Sequence, residues 1–287
     1  MNKNVTKIEF NSIIIFQWLK EHDLKTGTQH AQILKNKYQI DGVQVIEVSS
    51  GDDLLSLLDE IIFLMESYTS FSPILNIETH GCPKGLGIYG DLVEWDVLAD
   101  KLRKINKLRD NSLILLLSCC HGFDYISSIS IEKYSPCGYL IAPKKEIYDT
   151  VLYEAIAEFF HTMLTDEDID YAISKLPKEE FSFFRSNIFL LDAITKFLIK
   201  SHNEKELRIN EIKTKLLKEY NTANYPDVNP MDLMETVKKG VDVYKEKGMK
   251  EQIEILSKKF LGKTNDEQTD HVIKCVNDAI NSNKEYR

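Results

Sequence analysis

Two short stretches of this chain carry side chains that could do covalent chemistry. One is Thr79-His80-Gly81; the other is Ser118-Cys119-Cys120-His121-Gly122, and His80 and Cys120 stand 40 residues apart. Histidine is the usual base that takes a proton from a thiol, and the resulting thiolate is a strong nucleophile. A glycine beside each lets the backbone approach a substrate closely enough for N–H groups to hold a developing oxyanion. The chemistry is acyl transfer. In such a reaction His80 is expected to serve as general base and then acid, Cys120 to form the acyl-enzyme, and the N–H groups of Gly81 and Cys120 to form the oxyanion hole. Adjacent residues of a strand point to opposite faces, so at most one of Cys119 and Cys120 addresses His80.

Competing chemistries ask for patterns that are absent. Gly85-Leu86-Gly87-Ile88-Tyr89-Gly90 matches the dinucleotide string GxGxxG. That motif needs its glycines directly between a strand and a helix, with an acid ending the next strand. Here His80 to Lys84 intervene, and Asp110 precedes the next strand. No cysteines are paired as CxxC, which argues against a zinc site among His80, Cys82, Cys119, Cys120, His121 and Cys137. No arginine follows Cys120 closely, as a cysteine phosphatase would require. Neither metal nor cofactor is expected. Cys82 and Cys137 read as bystanders, and Cys275 as helix packing.

The elements that must position the pair are legible in the hydrophobic pattern. Pro73–Thr79 and Leu113–Ser118 are short apolar runs bounded by turn residues, the signature of buried parallel strands. Between them Val93, Val97, Leu98, Leu102 and Ile105 recur with a helical period. Strand, helix, strand is a right-handed crossover, so both strands end on one sheet edge, where open α/β sheets place their sites. Further strands are expected over 12–19, 43–48, 138–142 and 180–185. Helices are expected from the Lys25-Thr26-Gly27-Thr28 turn to Tyr38, from Ser50 through Ile62, and over 150–164 and 166–176. The stretch 81–90 reads as a small hairpin or loop. From about residue 187 only helical periods follow, over 188–199, 207–220, 231–244, 252–260 and 269–280, with a break at 221–230 containing Pro226 and Pro230. The chain therefore divides into an α/β domain over 1–187 and an all-helical region over 188–287.

Composition narrows the class. With 287 residues, 43% hydrophobic and 28% charged, the chain can bury a substantial core. A net charge of −9 leaves no cationic excess for phosphates, so no nucleic-acid partner is expected. No run approaches the ~20 apolar residues that span a bilayer, and Ile13–Phe16 is too short for the core of a signal peptide. Five cysteines, two of them adjacent, do not look like a disulfide framework, so the chain is expected in the cytoplasm with free thiols.

These features resemble the caspase-like cysteine peptidases, which include caspases, metacaspases and the bacterial CHAT peptidases. Ile77-Glu78-Thr79-His80-Gly81 matches their strand ending in His-Gly. Leu116-Leu117-Ser118-Cys119-Cys120-His121-Gly122 is similar to the caspase Gln-Ala-Cys-Arg-Gly, with Cys119 in the alanine position. Members with Cys-x-Ser-Gly would instead point to Cys119; the Cys-x-Gly spacing favours Cys120. Leu24-Lys25-Thr26-Gly27-Thr28 is similar to the Arg-x-Gly-Thr turn after the first caspase strand. Val93-Glu94-Trp95-Asp96 and the helix over 155–164, with Phe159-Phe160, look like CHAT segments. The resemblance spans roughly residues 10 to 185.

It implies a caspase-like three-layer α/β sandwich with a mostly parallel central sheet. It also implies an endopeptidase that cleaves protein or peptide substrates through a His–Cys dyad. No third carboxylate is required, and none is conspicuously placed. Lys25 stands where a caspase arginine binds an acidic P1 side chain, keeping the charge without the bidentate fork. Glu146 and Asp149 follow the fifth strand, where an acid would select a basic P1. Ser118 replaces an aspartate that metacaspases carry. The P1 preference stays open, leaning acidic. The connection from Gly122 to Gly138 is too short for an excised linker, so control is expected from a regulatory protein or ligand acting on the helical region. Bacterial members serve as regulated effectors, antiphage defence included. Two other readings are a silent caspase-like binding protein and a thiol hydrolase acting on a small molecule.

Overall fold

The apolar runs assemble into one sheet in a computed structural model, which describes residues 7, 9–88, 90–198, 200, 248–264 and 266–281. Its six strands are ordered β2-β1-β3-β7-β8-β9. They are β1 (Ser12–Trp18), β2 (Val43–Glu47), β3 (Pro73–Thr79), β7 (Ile114–Ser118), β8 (Tyr139–Pro143) and β9 (Phe181–Arg185). The first five run parallel and β9 runs antiparallel beside β8. Every residue of β1, β3, β7 and β8 is buried, as expected for strands covered on both faces.

Helices supply both covers. On one face α1 (Thr26–Tyr38), α4 (Asp149–Asp166) and α5 (Ile169–Ser174) pack onto Ile13, Ile15, Ile74, Ile114, Leu116 and Ile141. On the other α2 (Gly51–Ser67) packs beside α3 (Trp95–Leu108). The result is an α/β three-layer sandwich. The two units of the chain are Met1–Asn187 and Ile188–Arg287. A helix over 186–198 (α6), lying in the second unit from Ile188 on, buries Leu190, Ile194 and Leu198, a stripe at four-residue spacing. A helix over 248–261 (α7) buries Ile253 and Phe260, and α8 (Asp266–Asn281) buries Val272 and Val276. The rings of Phe189 and Phe260 meet at 5.9 Å. The helices expected over 207–220 and 231–244, and the break between them, lie outside the described residues.

Several boundaries differ from the sequence reading. The stretch from Gly81 is a three-stranded antiparallel meander of β4 (Gly81–Cys82), β5 (Gly85–Ile88) and β6 (Asp91–Glu94). Gly85 allows it, since a Cβ there would stand 2.3 Å from the Val93 carbonyl oxygen. Val93 and Glu94 therefore belong to β6, and the crossover helix starts two residues later than its period suggests. The helix expected over 166–176 is shorter because Glu167 turns the chain with a φ of 52°, after which Asp168 caps α5. Gly122–Ser128 forms a 3₁₀ turn. Among the described residues, no helix is long and apolar enough to cross a membrane.

Candidate active site

The register of β3 and β7 decides where His80 and Cys120 go. Glu78 is paired with Ser118, so two residues further on His80 and Cys120 leave adjacent parallel strands side by side. Parallel strands lie about 4.8 Å apart, which brings the two stretches into one locus at the carboxyl edge of the sheet. The chain runs from β1 outward to β2 and then returns to β3 on the other side of β1. The crevice between β1 and β3 is thus the point where strand order reverses, the usual ligand site of such sheets.

Gly81 makes the close approach feasible. A Cβ there would stand 2.1 Å from the Cys120 carbonyl oxygen and 3.0 Å from Cys119 Sγ. No side chain fits. Cys119 is only 1% exposed and faces Gly81, and burial pushes its thiol well above the ordinary cysteine value. Cys120 is partly exposed, and its Sγ lies 3.9 Å from the Ile147 carbonyl oxygen in the β8–α4 connection. His121, next in the chain, has a φ of 58°, a conformation costing about 1 kcal/mol for a non-glycine residue. The sharp turn it makes lets the Gly122 N–H return to the Cys119 carbonyl at 3.2 Å. His121 is held there by its own N–H to the Lys145 carbonyl at 3.3 Å and by Nδ1 to Asp124 Oδ2 at 3.3 Å.

A residue that sequence reasoning passed over completes the locus. Nε2 of His80 lies 2.7 Å from Oδ2 of Asp23, in the β1–α1 loop. Burial tends to raise the Asp23 carboxyl, but the Lys20 N–H, 2.7 Å from the same oxygen, and His80 together hold it below the ordinary carboxylate value. Ionised, Asp23 can only accept, so Nε2 is the nitrogen that donates to it, and the tautomer this selects leaves Nδ1 as the accepting nitrogen. The expectation that no carboxylate is well placed is corrected here. The only trace of Asp23 in the sequence is a short charged loop after β1, Lys20-Glu21-His22-Asp23, whose spacing from His80 is invisible until the strands are paired.

The remaining candidates are placed as follows. Lys25 occupies the N-cap position of α1 without a capping hydrogen bond and forms an ion pair with Glu47 at 2.7 Å. Glu146 is exposed on the β8–α4 connection, and Asp149 is the exposed first residue of α4. Between them Ile147 presents its carbonyl to Cys120, and Tyr148 is 83% exposed. Among the described residues no hydrogen bond joins the His80 ring to the Cys120 thiol, and neither Glu146 nor Asp149 has an ion-pair partner. No cluster of three or more His, Cys, Asp or Glu side chains is placed to hold a metal among those residues. Ser118 donates to Asn76 Oδ1 at 2.7 Å beneath the site. A pocket of about 400 Å³ between Phe10, Met163, Leu164 and Ile169 lies at the opposite, amino edge of the sheet. The chain matches no known family model and no curated protein.

Proposed function

We propose that this chain is a caspase-like cysteine endopeptidase in which His80 and Cys120 form the dyad and Asp23 orients the histidine. The observation that supports the proposal most is the β3–β7 register, which brings His80 and the partly exposed Cys120 to the ends of neighbouring strands, beside the crevice between β1 and β3 where strand order reverses. Nδ1 of His80 takes the Cys120 proton once the thiol turns from the Ile147 carbonyl. The thiolate then attacks the scissile carbonyl. The N–H groups of Gly81 and Cys120 hold the oxyanion, a contribution of about 10²–10³ per donor in comparable sites. His80 returns its proton to the leaving amine, and water releases the acyl group by the same route in reverse.

Charge placement favours a basic substrate side chain near the β8–α4 connection. Lys25 is already neutralised by Glu47, whereas the carboxylates of Glu146 and Asp149 have no ion-pair partner among the described residues. All five cysteines are free, which fits a reducing, cytoplasmic setting. By resemblance, the role is that of a regulated effector, antiphage defence included, with the helical region receiving the controlling protein or ligand. A silent binding protein is the second reading, favoured by the thiol's contact with Ile147 rather than His80.

Mass spectrometry after treating the native protein with peptidyl acyloxymethylketones bearing Arg, Asp or Leu at P1 separates the readings. One adduct on Cys120, fastest with Arg and lost in His80→Ala, is expected. An adduct on Cys119 would move the nucleophile, and no adduct under any condition would leave the binding protein.

A further inference from the structure

One buried ionisable group near the site has no part in the reaction above. Glu78 lies on β3, two residues before His80, and is 2% exposed. Its carboxylate accepts from the Thr26 N–H at 2.8 Å, the Gly27 N–H at 2.9 Å, Gln17 Nε2 at 2.5 Å and the Thr26 hydroxyl. A buried carboxylate is tolerated only when so completely satisfied. Gly27 is where it is because a Cβ would stand 2.6 Å from a Glu78 oxygen.

Helix α1 begins with Lys25 at its N-cap, a residue with no acceptor to offer and the wrong charge for that end, and no acid in its first turn. Its cap is borrowed from another strand. A Ser or Asp at the N-cap would accept from amides of the first turn without tying α1 to β3. The tie matters because the β1–α1 loop carries Asp23, only three residues before Thr26. Glu78 thus holds the loop whose carboxylate meets His80, the residue that directly follows the strand carrying Glu78.

We propose that Glu78 is a positioning residue: by anchoring the start of α1 to β3 it sets Asp23 against Nε2 of His80 and so selects the ring tautomer that leaves Nδ1 basic. The inference rests on reading His80 as the base, yet its test does not need activity. Histidine-ring ¹⁵N–¹H correlation spectra of the full chain report the tautomer directly. Wild type gives a single Nε2–H form for His80, assigned with His80→Gln. Glu78→Gln offers one oxygen and an N–H₂ to four donors, and averages the His80 signal between tautomers while slowing Cys120 labelling at least 10-fold. Asp168→Asn removes a buried carboxylate cap elsewhere, on α5, and serves as the control; it leaves the His80 signal unchanged. If Glu78→Gln fails to fold, Thr26→Ala removes one of the four bonds and gives partial averaging. An unaltered Nε2–H signal in the folded variant overturns the proposal and leaves Glu78 a remote helix cap. Averaging in a protein whose wild-type Cys120 never labels upholds the positioning and overturns the peptidase.

Discussion

Gly81 is the residue at which the site tolerates least. Its backbone is pressed against the Cys120 carbonyl, and the clash an alanine would bring is with main chain, which cannot swing aside. Gly81→Ala is therefore expected to slow probe labelling of Cys120 by about 100-fold, the scale of a lost oxyanion donor, while far-ultraviolet circular dichroism stays native. A variant that labels at the wild-type rate would remove Gly81 from the site. His80 and Cys120 stand out in the sequence as a proposed dyad because each follows an apolar run and has a glycine one or two residues on. Asp23 could not, since nothing local marks a loop carboxylate as the partner of a residue 57 positions away. Glu78 did leave a trace. An acid inside the otherwise buried run Pro73–Thr79 has to be satisfied by something, and the Thr26-Gly27 amides are what it finds.

At the scale of elements, the first two turns of α1 carry groups that dislike charge or need partners. His30, on its second turn, is 3% exposed, stacks on Tyr153 of α4 at 4.8 Å, and has no hydrogen-bond partner for Nε2. Burial lowers its pKa to about 4. The sign follows from comparing states. Above the unfolded value of about 6.5 the ring is neutral folded or unfolded, and the group has no effect on pH dependence. Below it the unfolded chain takes up a proton that the folded chain refuses, so stability falls until the pH nears 4. The loss from this group is about 3 kcal/mol between pH 7 and 4. Denaturant unfolding of His30→Phe is expected to show an acid slope shallower by that amount; an unchanged slope would refute the assignment. The strands and most helices were legible because their periods are set by burial. Of the meander from Gly81 only a small hairpin was legible and its third strand was not, because its strands are two to four residues long and its pairing is decided by the close passage of Gly85 under Val93.

For the molecule as a whole, the division into two units puts every group of the site into Met1–Asn187. The α/β unit is long enough to bury a core of its own. The fragment 1–187 is accordingly expected to fold and to label at Cys120 with the same dependence on His80, at a rate that differs from the full chain where the helical region exerts control. Equal rates in fragment and full chain would argue that this region does something other than regulate. A fragment that folds without labelling would place part of the active machinery beyond Asn187.

The vicinal cysteines have a consequence of another kind. Cys119 is turned to the α2–α3 face and sealed beneath Gly81, while Cys120 opens toward the β8–α4 connection. Neighbours in sequence, they are not placed to join as a disulfide. A peroxide reaching Cys120 would leave a sulfenic acid that this adjacent thiol cannot cap. Rescue falls to external thiols such as glutathione, and in their absence the sulfur proceeds irreversibly to the sulfinic acid. On the proposed role of Cys120 as nucleophile, oxidative stress would act on this protein as a one-way off switch, its threshold set by the thiol supply of the cell.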